Sequence, residues 1–322
     1  GMIGCGRISQ LGGPPDYTAK GDKGEDVEKL GGTYGCTRDL YKEFGSERVR
    51  NTPISEQAFV GAGLGAACGG MRPIVELMYW DFSFVCADQI FNQVAKTRYI
   101  FGGQARIPLV IRGQQGTGRG NAATHSQSVE SIFMHIPGLK VVCPSTPAEA
   151  AGLLRTAIRD DNPVCFFEHK MLYATKGEVP EDPDFMIPFG KADIKRAGTD
   201  VTIVTNLLYV KHALAAAEEL AKEGISAEVI DPRTLVPFDY DTIVESVKKT
   251  GRLVVVHEAH QNNGWGAQVI TETMHRAFRY LDAAPIHLGA KACPLPFNLG
   301  LEQAVIPSVE DIVNACRAVA YK

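Results

Sequence analysis

Apolar residues fall along this chain in two rhythms. Short unbroken runs at 73–77, 108–112, 139–143 and 164–167 have the length and bounding turn residues of strands buried on both faces. Between them, 56–70, 87–101 and 148–159 have helical character: the first is proline-free and rich in small residues, and in 87–101 Ile90, Val94 and Ile100 recur at helical spacing. The segment 174–190, rich in Pro, Glu, Asp and Lys, interrupts the pattern and reads as a surface linker. The rhythm then resumes, with strands predicted at 201–204, 227–230 and 253–256 and helices at 210–223, 240–249, 265–281 and 309–320. This alternation predicts an α/β fold of two doubly wound domains, each a largely parallel sheet covered by helices, over 1–173 and 196–322 with a linker at 174–195. No internal repeat is present.

One stretch departs from simple core patterning. Pro53 in Thr52-Pro-Ile-Ser-Glu56 forces an extended turn, Ser55 is placed to cap the helix that follows, and Glu56 stands in its first turn. Behind it Gly61, Gly65 and Gly69 recur at every fourth position, a bare stripe on which another backbone can lie closely, so self-association of the isolated chain is expected there. A carboxylate at the mouth of a buried helix is a candidate acid–base group. The plainer account is a helix-start Glu that complements the macrodipole, and for an isolated Ser-Glu pair that account prevails.

Composition narrows the function classes. With 322 residues, 45% of them hydrophobic, the chain can build two cored domains. The net charge of -4, with both signs interspersed, offers no basic stripe for a phosphate backbone and argues against nucleic acid as a partner. No apolar run approaches the roughly 18 residues needed to span a bilayer, so a soluble, cytoplasmic protein is expected. Eight cysteines (Cys5, Cys36, Cys68, Cys86, Cys143, Cys165, Cys293 and Cys316) lack any Cys-x-x-Cys pair, which fits reduced thiols and not a zinc ribbon. The loop Gly113-Gln-Gln-Gly-Thr-Gly-Arg-Gly120 lacks the Gly-Lys-Ser/Thr of a P-loop and the spacing of a dinucleotide fingerprint. His257 and His260 flank Glu258 at a spacing that suggests metal ligation, although a structural role is the expectation.

From Gly31 onward an ordered series of blocks carries a resemblance. It runs through Thr52-Pro-Ile-Ser-Glu56, Arg72-Pro-Ile-Val-Glu-Leu-Met78 with Asp81-Phe82, Asp88-Gln89-Ile90 with Ala95-Lys96, and His125-Ser126-Gln127. Ile136-Pro-Gly-Leu-Lys-Val-Val142, Ala157-Ile-Arg-Asp-Asp-Asn-Pro163, Glu168 with Leu172-Tyr173, Ile230-Asp-Pro-Arg-Thr-Leu235 and Thr250-Gly-Arg252 continue it. The chain resembles the β subunits of thiamine-diphosphate-dependent 2-oxo acid dehydrogenases, the E1β group of the pyruvate, acetoin and branched-chain type. The resemblance implies a transketolase-like pyrimidine-binding domain followed by a transketolase C-terminal-like domain.

It also implies site residues. Glu56 takes the place of the glutamate that contacts the aminopyrimidine of thiamine diphosphate at N1′, where a carboxyl exchanges a proton that a Gln side chain cannot. Met78 and Phe82 take the places of apolar and aromatic side chains packed on that ring, and His125 that of an active-site histidine. Main-chain carbonyls of Leu109, Ala157, Asp160 and Asn162 match a structural potassium site of some relatives. The Gly-Asp-Gly and distant Asn that hold Mg²⁺ on the diphosphate are nowhere in the chain, so an α subunit is expected to supply them in an α2β2 heterotetramer serving a lipoyl-bearing E2. Relatives begin with a helix and strand ahead of the region 4–32, and Met2-Ile3-Gly4 matches only the tail of that strand, so a missing opening helix is expected, and Ala292 stands where many carry Asp or His, which bears on E2 docking. The C-terminal half of a split transketolase and a truncated, non-catalytic scaffolding subunit are the alternatives; a neighbouring α-subunit gene separates them from E1β.

Overall fold

The computed structural model describes Val27, residues 31–32 and residues 34–321; the expected loss of an opening helix lies outside the described residues. The elements in the first half are α1 (Leu40–Phe44), α2 (Glu56–Cys68), β1 (Ile74–Tyr79), α3 (Thr97–Ile100), β2 (Val110–Gln115), α4 (Glu130–Met134), β3 (Lys140–Val142), α5 (Pro147–Arg159) and β4 (Val164–His169). Then follow β5 (Asp193–Arg196), β6 (Val201–Val204), α6 (Tyr209–Lys222), β7 (Ala227–Asp231), β8 (Thr234–Val236), α7 (Tyr240–Thr250) and β9 (Leu253–His260). The chain closes with α8 (Trp265–Ala277), β10 (Ile286–Ala290), α9 (Leu299–Val305) and α10 (Val309–Ala320). Two compact units result: one takes the chain up to Gln115 and again Ile132–Pro188, the other Gly116–Ser131 and Phe189–Lys322.

In the first unit β1, β2, β4 and β3 lie side by side in that order, all parallel. Every residue of β2 and β4 is buried, which is why those runs show no polar alternation. Trp80, fully buried, stacks on Phe167 at 4.0 Å, and Phe133 stands edge-on to both. Helix α5 begins with Thr146 and Glu149 in a reciprocal capping box and Pro147 in the first turn, a signal written plainly in Thr-Pro-Ala-Glu.

Two local expectations, the Ser55 cap and the 87–101 helix, are corrected. Ser55 occupies the cap position of α2, but its hydroxyl donates back to Pro53 O at 3.0 Å and caps nothing. Within the chain the close approach on α2 is made by Gly63, where a Cβ would lie 2.6 Å from Val75 of β1, while Gly65 faces open space, so cover of the glycine stripe by a second chain stays an expectation of the sequence. The helix predicted over 87–101 is broken into a π turn at Gln89–Val94 and the short α3, because Ala95 N–H reaches back to Ile90 O while Ile90 and Val94 stay fully buried.

Strands β1, β2 and β4 are joined below their C-terminal ends by charge. Arg112, the partner of Glu76 in register, donates Nε–H to Glu168 Oε1 at 2.6 Å and Nη2 to the other oxygen, while Nη1 meets Glu76. Tyr173 donates its hydroxyl to Glu168 Oε2 at 2.6 Å. Burial acts to lower the Arg112 pKa, yet the two carboxylates outweigh it and hold the guanidinium well above its ordinary value. Burial, with Glu168 beside it, pushes the Tyr173 hydroxyl well up.

In the second unit the order is β10–β9–β6–β7–β5, parallel except for β5 against β7. Its core packs α6 and α10 on one sheet face through Ala213, Ala217, Leu220, Ile312 and Cys316. The short, half-exposed β5 and β10, and the short β8 and α9, carry too little apolar pattern to have been predicted. His257 of β9 is fully buried: its Nδ1–H donates to Ala259 O at 3.0 Å, so Nε2 accepts from His287 Nε2–H at 2.7 Å. Burial, and secondarily His287, lowers the His257 pKa to about 3.

Two outcomes follow from these buried groups. Arg112→Leu leaves two carboxylates facing each other without a cation and should cost about 3–5 kcal/mol in urea unfolding; a loss below about 1 kcal/mol would show the network to be dispensable. For His257, the unfolded imidazole takes up a proton near pH 6.5 that the folded one refuses until about pH 3. Stability should therefore fall as pH drops through that window, by about 1.4 kcal/mol per unit from this group, and His257→Gln should flatten the slope. An unchanged pH profile in that variant counts against the assignment.

Candidate active site

Glu56 opens α2 and is 6% exposed. Among the described residues its carboxylate accepts no hydrogen bond. Other buried carboxylates are all engaged: Glu149 in its capping box, Glu168 with Arg112, Glu228 with Gly198 N–H and Lys249, Glu258 with Thr117. A helix N-terminus contributes about 0.3–1 kcal/mol to a carboxylate near it, and Glu56 stands where that contribution is made.

Two half-buried apolar groups belong to the same unit. Met78 is the penultimate residue of β1, and Phe82 lies in the one-turn 3-10 helix Trp80–Phe84, its ring edge-on to Tyr79 at 6.0 Å. The turn is fixed by the buried Trp80, which leaves Phe82 partly open. Tyr79 is held in turn by its hydroxyl contact with Tyr34 at 2.9 Å. α2 packs on β1 through Gly63, and β1 is tied to β2 by Arg112, so the elements bearing Glu56, Met78 and Phe82 share one rigid support.

His125 belongs to the second unit, in the segment Gly116–Ser131. Its Nδ1 lies 3.0 Å from Thr124 Oγ1, and Gly116 N–H bonds to Gln127 O across the base of the loop. Gly116, Gly118 and Gly120 all adopt left-handed φ. The amides of Thr117, Gly118 and Gly120 donate to the carboxylates of Glu258 and Glu302, so they are not open to a phosphate. That agrees with the rejection of a nucleotide loop.

His257, Glu258 and His260 are held in separate structural bonds. Glu258 is bonded to Thr117 and Ser128, His257 to His287, and His260 Nδ1–H to Lys291 O, so the three do not converge, and no metal-holding cluster of His, Cys, Asp and Glu exists among the described residues. At the potassium loop Leu109 O accepts Val164 N–H, Ala157 O accepts Asp160 N–H, and Asp160 O accepts Arg72 at 3.0 Å. Arg72 also reaches Ile158 O, and Asn162 donates to the Asp160 carboxylate. Burial acts to raise the Asp160 pKa, but Lys140 and Asn162 hold it below the usual range. The Arg112 network is not predicted from the sequence pattern, though its signal is there: a charged residue within or at the end of each of three apolar runs.

The model of the transketolase pyrimidine-binding domain matches residues 23–176, and that of the transketolase C-terminal domain matches 190–312. The chain is 52% identical to the acetoin:2,6-dichlorophenolindophenol oxidoreductase subunit beta of Cupriavidus necator, over 92% of this chain and 88% of that protein. It is 47% identical to the pyruvate dehydrogenase E1 component subunit beta of Rickettsia felis, over 92% and 91%. Against the subunit of the same description from Rhizobium meliloti it is also 47% identical, spanning 93% of this chain but 65% of the relative. A solved split gene transketolase, an inactive β4 tetramer, superposes with a TM-score of 0.71 at 23% identity over 89% of this chain and 90% of that one, a likeness of fold alone. No helix among the described residues is long and apolar enough to cross a membrane. Domain order, strand topology and these identities together place the chain in the transketolase-like family of pyruvate dehydrogenase E1 β and acetoin oxidoreductase β subunits.

Proposed function

We propose that the chain is the β subunit of a thiamine-diphosphate-dependent 2-oxo acid dehydrogenase of the pyruvate or acetoin type. The observation that carries this reading is Glu56, a buried carboxylate with no hydrogen-bond partner among the described residues. A heterocycle whose ring nitrogen shares a proton with that carboxyl suits such a group, and Met78 and Phe82 offer apolar and aromatic surface to its faces. When bound, thiamine diphosphate supplies the nucleophilic carbon and the electron sink for cleavage beside a carbonyl. Glu56 holds and exchanges the proton at N1′ of the aminopyrimidine, which a carboxyl does and a carboxamide does not. His125 serves the later proton transfers to substrate or lipoyl group.

This chain carries one half of such a site. The Mg²⁺ and diphosphate are assigned to an α subunit in an α2β2 assembly, which hands its acyl group to a lipoyl-bearing E2 in the cytoplasm. The sequence has no Gly-Asp-Gly motif, and the amides of the glycine-rich loop are already committed to carboxylates. Isothermal calorimetry with Mg²⁺ and thiamine diphosphate should give weak or no binding to the chain alone and tight binding once the α subunit is added; stoichiometric, tight binding without a partner overturns the division.

Glu56→Gln separates the proposed role from a structural one. Relieving a buried carboxylate should leave thermal stability unchanged or raise it by about 1 kcal/mol. In the α-paired enzyme the same change should slow hydrogen–deuterium exchange at the cofactor's thiazolium C2 by about 10²-fold or more, with turnover falling alongside. Exchange at the unmutated rate would remove Glu56 from the chemistry, and a marked loss of stability would mean that its carboxylate holds the fold.

A further inference from the structure

Two buried carboxylates outside the described machinery converge on the segment that carries His125. Glu258, on β9, accepts Thr117 N–H at 2.8 Å and Ser128 Oγ at 2.9 Å on Oε1, and Thr117 Oγ1 at 2.9 Å on Oε2. It thereby grips the loop on both sides of His125. Glu302, on α9 and fully buried, accepts Gly118 N–H at 3.0 Å and Gly120 N–H at 3.4 Å on one oxygen. The approach is close: a Cβ on Gly120 would lie 2.7 Å from Phe297 O. At the far end, Ser131 Oγ accepts Trp265 N–H at 3.0 Å. The segment has left-handed backbone at Gly116, Gly118, Gly120 and Ala122, a course that regular structure does not sustain. Its shape is therefore set from outside, by carboxylates that a purely apolar core has no use for.

We infer that Glu258 and Glu302 are positioning residues for His125: they order the loop, and through it place the imidazole for the proton transfers that follow cofactor activation. The inference rests on the role proposed above for His125. Neither glutamate is required to touch substrate or cofactor. The bonds they make are acceptor bonds, and in both sites a carboxamide can reproduce them. In Glu258→Gln the carbonyl oxygen accepts from Thr117 N–H and Ser128, while the amide nitrogen donates to Thr117 Oγ1, a hydroxyl that accepts as well as donates. In Glu302→Gln the carbonyl oxygen accepts from both glycines. A leucine of similar size makes none of these bonds.

The experiment compares Glu258→Leu, Glu302→Leu, both Gln variants and His125→Ala in the full chain, free and paired with its α subunit. Amide hydrogen exchange is read over 116–131 and, as an internal control, over β6 and β7. The Leu variants should speed exchange in 116–131 by about tenfold or more, the scale of one lost tether, with β6 and β7 unchanged. In the paired enzyme, the Leu variants should lower kcat about tenfold or more while C2 exchange of the cofactor stays within about twofold, and the Gln variants should recover both readouts. Unaltered exchange in 116–131, or altered exchange with unaltered kcat, overturns the inference. So does a uniform rise that includes β6 and β7, or a Gln variant as impaired as Leu. His125→Ala with full turnover instead overturns the role of His125 itself, and the loop exchange data, taken without substrate, keep the two failures apart.

Discussion

One guanidinium at the centre of a parallel sheet sets the conditions for the rest of the first unit. Arg112 is 1% exposed and faces two carboxylates, one from each neighbouring strand. Such an arrangement contributes little net stability, because desolvating three charged groups offsets most of their attraction. What it contributes is register: a one-residue slip of β1 or β4 would turn a carboxylate to the other sheet face and strand the arginine. Since Met78 follows Glu76 by two residues and Phe82 by six, the register of β1 fixes where these side chains emerge. The apolar cluster of Trp80, Phe133 and Phe167 fills the space but does not by itself distinguish registers.

Most of the architecture was legible in the sequence because buried parallel strands and amphipathic helices write themselves as runs and periods. The strands at 201–204 and the helix at 309–320 were read to the residue. What failed to show was local or distant. Ser55 looks like a cap in one dimension, but its hydroxyl is claimed by Pro53 O two residues back. The π turn at Gln89–Val94 keeps the apolar spacing of an ordinary helix, so periodicity alone cannot reveal it. The close approach of α2 to β1 is made by Gly63, which lies outside the Gly61, Gly65 and Gly69 pattern and so did not stand out in the sequence. Glu56 was legible as a helix-start carboxylate with a resemblance behind it, whereas its lack of a partner is a property of three dimensions only.

The two candidate groups are supported in opposite ways. Glu56 sits on a regular helix whose geometry the local sequence dictates, and its carboxylate is left without a protein donor. His125 sits on irregular backbone whose geometry nothing local dictates, and its segment is held by hydrogen bonds supplied from far along the chain. The first arrangement stores unmet hydrogen-bonding capacity at one atom group; the second spends three carboxylate oxygens on holding a loop still. Both depart from a purely apolar core, and both occur at residues for which a chemical role is proposed above.

The tethering of the His125 loop also fixes an order of assembly. Its bonds join residues 141 and 184 positions apart, Thr117 to Glu258 and Gly118 to Glu302. During synthesis, at roughly 5–20 residues per second, Gly118 leaves the ribosome about 10–40 s before Glu302 does. The four strands of the first unit are all complete by His169, well before Glu258 and Glu302 have been made. The loop bearing His125 therefore lacks its Glu302 tether until α9 has been made, near the end of translation.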